Sequence, residues 1–573
     1  MDADDIFRKL TVGALPKYLK LPTNTKNLKS SLDSPQLNGY NTIKSVQKVK
    51  KEKSNQILTK VKHELPDKEE LTLLGDIKSG QERKESIHKP KKIKTEKTKR
   101  QLAAEHKVEK INQLRNAHKI TVVGGNVPAP VETFDQFVEE YKVSSKIISN
   151  LKSSGYENPT PIQMQAIPVM LQNRQILACA PTGSGKTAAF IVPILHSLGS
   201  PKNEGFRALI VCPTRELARQ IYRETSWLAE GTGLKTHIIS KVKQSADKFG
   251  SKFTTKFDIL ITTPNRIIYL LRQENVTFSL KTVEWLIIDE SDKLFEVGVR
   301  GFRDQLAEIY KACDATNIKR AMFSATHTVH VTKWCRKNLK DLITVIIGHR
   351  NTAVNLVQQE LIFVGSEHGK LIEFRNLVHQ GLPPPVLVFV QSKERAKELF
   401  NELIYDGINV DVIHADRTQL QRDNVVKAFR EGKVWVLICT ELMGRGIDFK
   451  GVNLVINYDF PNSAISYIHR IGRTGRAGRR GRAVTFFTES DRPALRSIAT
   501  VMRDSGCEVP EYMLNLKKTS KREKRKLEHT APNRKPISTT PSYTKFKNNK
   551  LKKRIDATKK QKEANKNKIS KNE

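Results

Sequence analysis

The sequence predicts an α/β protein of two parallel-sheet domains in tandem, flanked by basic, disordered N- and C-terminal extensions. Three observations point there. Between about 130 and 515, short β-branched runs alternate with helical patterns, and the runs are continuously apolar, as strands covered on both faces are. The alternation pauses once, around Gly348-His349-Arg350-Asn351-Thr352. Outside it the chain turns polar and cationic.

These breaks predict an extension over 1–128, a first domain over 129–347, a linker over 348–358, a second domain over 359–516 and a tail over 517–573. In the first domain the strand runs are Ile176–Cys179, Ala208–Cys212, Ile259–Ile261, Trp285–Ile288, Ala321–Phe323 and Ile343–Ile347. In the second they are Leu361–Val364, Val386–Val390, Val410–Ile413, Val434–Cys439, Leu454–Ile456 and Ala483–Phe487. A parallel sheet needs helical crossovers between such runs, and the intervening stretches are long enough to supply them.

Of the net charge of +40, residues 1–125 hold +13 (28 Lys/Arg against 15 Asp/Glu) and residues 517–573 hold +16 (21 against 5). Such segments bury too little apolar surface to offset chain entropy, so disorder is expected. Their charge favours a polyanion, because each neutralised phosphate releases a counterion. A solubilising role is the plainer alternative. Lys89–Lys94 and Lys517–Lys526 also resemble nuclear-import signals. The six cysteines form no CxxC pair, which predicts neither disulfides nor zinc. No apolar stretch reaches membrane-spanning length, and the acidic start Met1-Asp2-Ala3-Asp4-Asp5 is unlike a signal peptide. A soluble, intracellular, reduced protein is expected.

The chemistry begins at Ala180-Pro181-Thr182-Gly183-Ser184-Gly185-Lys186-Thr187, a phosphate-cradling loop after a strand. Its glycines let backbone N–H groups wrap a triphosphate, Lys186 supplies a mobile positive charge, and the Thr187 hydroxyl suits Mg²⁺. Downstream, the apolar run Trp285–Ile288 delivers Asp289-Glu290-Ser291-Asp292 to its carboxyl end. Asp289 is expected to hold Mg²⁺ through water and Glu290 to polarise the attacking water. Ser291 and Asp292 alternatively cap a helix beginning near Lys293. In the second domain, His469-Arg470-Ile471-Gly472-Arg473-Thr474-Gly475-Arg476 concentrates three arginines. Guanidinium forks bind phosphate at two points, so Arg473 and Arg476 are expected to complete a composite ATP site.

Together these residues resemble the DEAD-box ATP-dependent RNA helicases of superfamily 2, from about Phe134 to Phe487. The resemblance implies two RecA-like domains, ATP and Mg²⁺ as cofactors, and RNA as partner. Gly155–Gln163 is similar to the adenine-reading Q motif, with Thr160 and Gln163 at the nucleotide and Phe134 (Phe137 also qualifies) stacking on the base. Pro213, Thr214, Arg215, Thr263 and Arg266 match backbone-gripping motifs Ia and Ib. Asp292, Ser324, Thr326 and His469 match positions that couple ATP state to RNA. In the second domain Val386–Ser392 resembles motif IV, and Gln419 and Arg422 the neighbouring RNA-facing element. Thr440–Asp448 resembles motif V, implying Thr440 on an RNA phosphate and Asp448 on the ribose.

The chain departs from the family pattern at Ser291, where alanine is usual, and at Asn265 and Gly444. The glycine pair expected near Ser240–Lys243 is also missing. Asp-Glu-Ser-Asp and Lys293–Glu296, with the basic flanks, look most similar to a nucleolar subgroup acting in small-subunit assembly. That likeness implies pre-ribosomal RNA and proteins as partners, a nucleolar location and a monomer. The main expectation is therefore an RNA helicase. The alternatives are an ATP-gated RNA clamp and, disfavoured by the Q motif, a DNA translocase.

Overall fold

Each strand of the first sheet is a short apolar run whose alternate residues enter different cores. Ile176 and Ala178 join one apolar cluster, while Leu177 and Cys179 join another on the opposite face. That is why these runs read as continuously apolar. The computed structural model describes residues 99–239, 251–273, 278–296, 302–348, 356–441, 449, 451–476, 478–530, 532–537, 554, 555 and 558.

The first sheet contains β1 (Ile120–Val123), β2 (Ile176–Cys179), β3 (Ala208–Val211), β4 (Thr236–Ile238), β5 (Ile259–Thr262), β6 (Trp285–Ile288), β7 (Lys319–Ser324) and β8 (Ile343–Ile347). Their order is β1-β8-β2-β7-β6-β3-β5-β4, with every pairing parallel except β1 on β8. The second contains β9 (Val357–Phe363), β10 (Val386–Val390), β11 (Val410–Ile413), β12 (Val436–Thr440), β13 (Leu454–Asn457) and β14 (Gly481–Phe487). It is wholly parallel in the order β11-β12-β10-β13-β14-β9. Each sheet is covered on both faces, and ligand-binding loops of such sheets lie outside the carboxyl ends of the strands.

The structure corrects the expected edges. The segment expected as a disordered extension contains a helix, Lys99–Ala117, and β1. Ile120 pairs with Ile347, and Arg115 donates to the Pro128 carbonyl at 2.9 Å and to Gln165 Oε1 at 3.0 Å. Four β-branched residues in a row outweigh the charge of the surrounding segment. β9 begins at Val357, inside the span expected as linker. The expected disordered tail contains the helix Lys521–His529, and its Ile537 is 6 % exposed in the second domain's core. Residues 1–98 and most of 538–573 lie outside the described residues.

Candidate functional site

The phosphate loop leaves β2 and turns into the helix Lys186–Leu198, with Gly185 as N-cap at φ 83°. A Cβ at Gly185 would stand 2.5 Å from Gln163 Nε2, so the close approach of Gln163 depends on glycine there. Gln163 accepts from the Thr160 N–H at 3.0 Å and donates to the Gly185 carbonyl at 3.1 Å. The Q-motif glutamine is thus tied to the loop's last turn. Lys186 Nζ donates to the carbonyls of Ala180 (2.7 Å) and Pro181 (2.8 Å). Burial pushes its ammonium down to about 8, against the pull of Asp289 and Glu290. Thr187 follows in the first turn of that helix.

β6 ends beside β3, and the Asp289 N–H continues the ladder by donating to the Val211 carbonyl at 3.0 Å. Burial, then the neighbouring Glu290 charge, raises the Asp289 carboxyl to about 7. Its Oδ1 accepts the Glu290 N–H at 2.9 Å. Glu290 sits at φ 49°, ψ 48°, in the left-handed region, and caps the short helix Ser291–Leu294. The helix therefore starts at Ser291, not near Lys293, and neither Ser291 nor Asp292 is its cap. Glu290 is 8 % exposed, and its Oε2 is buried with no partner among the described residues. A buried carboxylate oxygen left in this way fits a group that must receive a polar ligand atom.

Asp292 joins three elements. Its Oδ2 accepts the Thr326 hydroxyl at 2.8 Å and lies 2.5 Å from His469 Nε2 of the second domain. The Thr326 N–H donates to Ser324 Oγ at 3.1 Å, and the Ser324 hydroxyl returns to the Thr326 carbonyl at 2.8 Å. His469 lies near the end of the helix Ala464–Ile471, and its carbonyl accepts Arg473 Nε at 3.1 Å. The Thr182 hydroxyl donates to the Gly472 carbonyl at 2.9 Å, with Thr182 Oγ1 only 2.2 Å from where a Gly472 Cβ would stand. Arg476 lies over the phosphate loop, its Cγ 3.3 Å from the Cβ position of Gly183, and its Nε donates to the Gly472 carbonyl at 3.0 Å. The structure thus brings Arg476 to the loop holding Lys186, while Arg473 is buried in the second domain against the His469 carbonyl.

Other expected positions are placed differently. Phe134 and Phe137 are 2 % and 0 % exposed in the first domain's core, so neither presents a free ring face to a base in this conformation. Their alternation with polar neighbours on the helix Phe134–Tyr141 already suits core packing. Asp448 lies outside the described residues. Pro213 is buried where β3 leads into the helix Arg215–Leu228, whose N-cap Thr214 accepts the Leu217 N–H at 3.3 Å. Arg215 is exposed beside it. Thr263 caps the helix Pro264–Leu271. Arg266, on that helix, turns inward to the Ile239 carbonyl, and burial together with Arg215 pushes its guanidinium down to about 10. Thr440 closes β12.

Gln419 and Arg422 both reach the first domain, at Glu216: Gln419 Nε2 at 3.2 Å and Arg422 Nη1 at 3.3 Å from Glu216 Oε1. Arg219 pairs with Asp423 across the same cleft. Sequence reasoning passed over Glu216, Arg219 and Asp423 as bridging residues. The visible signal was that Arg219 stands three residues after Glu216 and four after Arg215, and that Gln419 and Asp423 stand four apart. Among the described residues no cluster of three or more His, Cys, Asp or Glu suits a metal ion.

A family model described as DEAD/DEAH box helicase matches residues 160–334, and one described as helicase conserved C-terminal domain matches 369–478. The "Probable ATP-dependent RNA helicase DDX52" of Bos taurus is 60 % identical over 435 residues, which are 76 % of this chain and 73 % of that protein. The "ATP-dependent RNA helicase ROK1" of Lodderomyces elongisporus is 46 % identical over 458 residues, 78 % of this chain and 82 % of its own. Among solved structures, S. cerevisiae Dbp5 bound to RNA and ADP BeF3 is similar with TM-score 0.58 and 25 % identity, covering 68 % of this chain and 98 % of that one.

Proposed function

The chain belongs to the DEAD-box ATP-dependent RNA helicases, and from that premise we propose an RNA-stimulated ATPase that locally unwinds RNA duplexes and remodels RNA–protein complexes. One observation carries the reading. A single oxygen, Asp292 Oδ2 of the carboxylate motif, meets Thr326, two residues beyond β7, and His469 of the second domain. Any change at the nucleotide that moves Asp292 is therefore felt by the element that links the domains.

In this reading, Lys186 and the loop N–H groups hold the phosphates, and Glu290 orients and polarises water. Arg473 and Arg476 meet charge developing on the transferring phosphoryl group. Thr187 and Asp289 are the groups that would hold Mg²⁺, which when bound neutralises phosphate charge. Arg215, Arg219 and Arg422 lie close to Arg266, with Glu216 among them, and the wider cleft suits a phosphate backbone read without base contacts. Gln419, Arg422 and Thr440 act on the RNA side with Pro213, Thr214 and Thr263.

We further propose pre-ribosomal RNA and proteins as partners and the nucleolus as location. The net charge of +40, concentrated in the flanks, supports this, as does the resemblance at Asp289–Glu296 to a nucleolar subgroup. The test is ATP hydrolysis and duplex unwinding with RNA or DNA of one sequence, together with RNA crosslinking in cells. RNA-specific stimulation and crosslinks on ribosomal precursors are expected. Equal stimulation by DNA overturns the RNA reading, and crosslinks confined to other RNAs overturn the ribosomal one.

A further inference from the structure

The segment Pro532–Ile537 crosses the second domain where β10 and β13 end. The Gln391 amide donates to the Pro532 carbonyl at 2.6 Å, and Arg395 Nη1 to the Lys535 carbonyl at 2.6 Å. The Ile537 N–H donates to Glu398 Oε2 at 2.9 Å. Between these anchors Arg534, its side chain 2 % exposed, donates to Gln391 Oε1 (2.8 Å), Glu367 Oε1 (2.9 Å) and Asp491 Oδ1 (2.6 Å). Its Nε also lies 3.8 Å from Asp459 Oδ1.

Glu367, Asp459 and Asp491 bring three negative charges to this buried place, and Lys370 and Arg395 bring two positive ones. Arg534 supplies the third. Without it a buried carboxylate lacks its counter-charge. Asp459 matters beyond this cluster, because its main-chain carbonyl accepts Arg470 Nη1 at 2.8 Å. Arg470 stands on the helix Ala464–Ile471 beside His469, which meets Asp292.

We propose that Pro532–Ile537 is a strap built into the second domain and that Arg534 is a positioning residue for ATP hydrolysis. It acts through Asp459 and Arg470 on the helix that presents His469 and leads into Arg473. Arg534 touches neither nucleotide nor RNA. The inference rests on the ATPase reading above.

The test compares the full chain with Arg534→Gln and Arg534→Lys at 15 °C. RNA-stimulated ATP turnover is read alongside hydrogen exchange of the 464–471 amides. Arg534→Gln is expected to lower kcat about tenfold with KM for ATP within twofold, since a displaced arginine acts on the transition state. The same variant is expected to speed exchange at 464–471, and Arg534→Lys to restore most of both. Unchanged exchange at 464–471 overturns the proposal, whatever the turnover. So does a kcat within twofold of the parent, or a kcat loss that merely follows the folded fraction. If Arg534→Gln does not fold, Ile537→Ala, which loosens the strap at its buried end, reports the same two quantities under the same criteria. A parent chain without RNA-stimulated turnover refutes the ATPase premise instead, and the exchange readout still decides whether the strap holds the helix.

Discussion

Glu290 holds a left-handed backbone at φ 49° and keeps one carboxylate oxygen buried without a partner among the described residues. Non-glycine residues stay there only when their surroundings hold them, at a cost on the order of 1–3 kcal/mol. Glu290→Gln keeps size and shape while removing the basic oxygen. ATP binding is expected to persist while turnover falls by about 10²-fold or more, the scale of a lost general base, as read by nucleotide binding and phosphate release. Next to it Ser291, 0 % exposed, buries a hydroxyl without a partner among the described residues. Ser291→Ala removes an unsatisfied group, so stability should rise by up to about 1 kcal/mol in chemical denaturation, with turnover unchanged.

The apolar strands were legible as elements because both their faces are buried; β2, β6 and β10 needed no partner to be recognised. β4 was not, because Thr236-His237-Ile238 is short, half-buried and carries a histidine. That histidine lies among Phe206, Phe253 and Phe257, and burial lowers its pKa to about 4. The folded form therefore resists a proton that the unfolded chain accepts near pH 6.5. Stability should fall as pH drops from about 6.5 to about 4 and level off below, and His237→Leu should flatten that slope in denaturation curves across this range. The loop motifs were legible because phosphate chemistry demands glycine, lysine and hydroxyl in fixed order. The buried environment of Phe134, the inward turn of Arg266 and the docking of Arg422 on Glu216 were not. Each depends on what stands opposite, and no local pattern encodes that. The ordered strap at Arg534 was hidden for the same reason, since its partners lie more than forty residues upstream and the segment sits in a polar, strongly cationic tail.

At the scale of the molecule, two sheets present their carboxyl ends to one cleft, and four contacts cross it: the Thr182 hydroxyl with the Gly472 carbonyl, Asp292 with His469, Glu216 with Arg422 and Arg219 with Asp423. The first two stand at the nucleotide side and the last two among the residues assigned to RNA. Under the proposed function, nucleotide and RNA both favour the closed arrangement, and each then strengthens the other's binding by the same factor. Glu216→Gln, which weakens the RNA-side bridge without touching the phosphate loop, should lower the apparent affinity for RNA measured with ATP present by several-fold, the usual scale of such coupling. Basal ATP binding should stay as it was.

The central claim is that the ATP site is complete only when the second domain delivers its arginines in response to RNA. The direct measurement is the turnover of the full chain and of Arg476→Ala at saturating ATP, with and without single-stranded RNA. The account predicts strong stimulation of the parent by RNA, and in the variant a loss of about 10³-fold or more, as for an arginine that meets transition-state charge, with ATP binding retained. Turnover in the parent that ignores RNA, or a variant that hydrolyses ATP at the parent's RNA-stimulated rate, would contradict it.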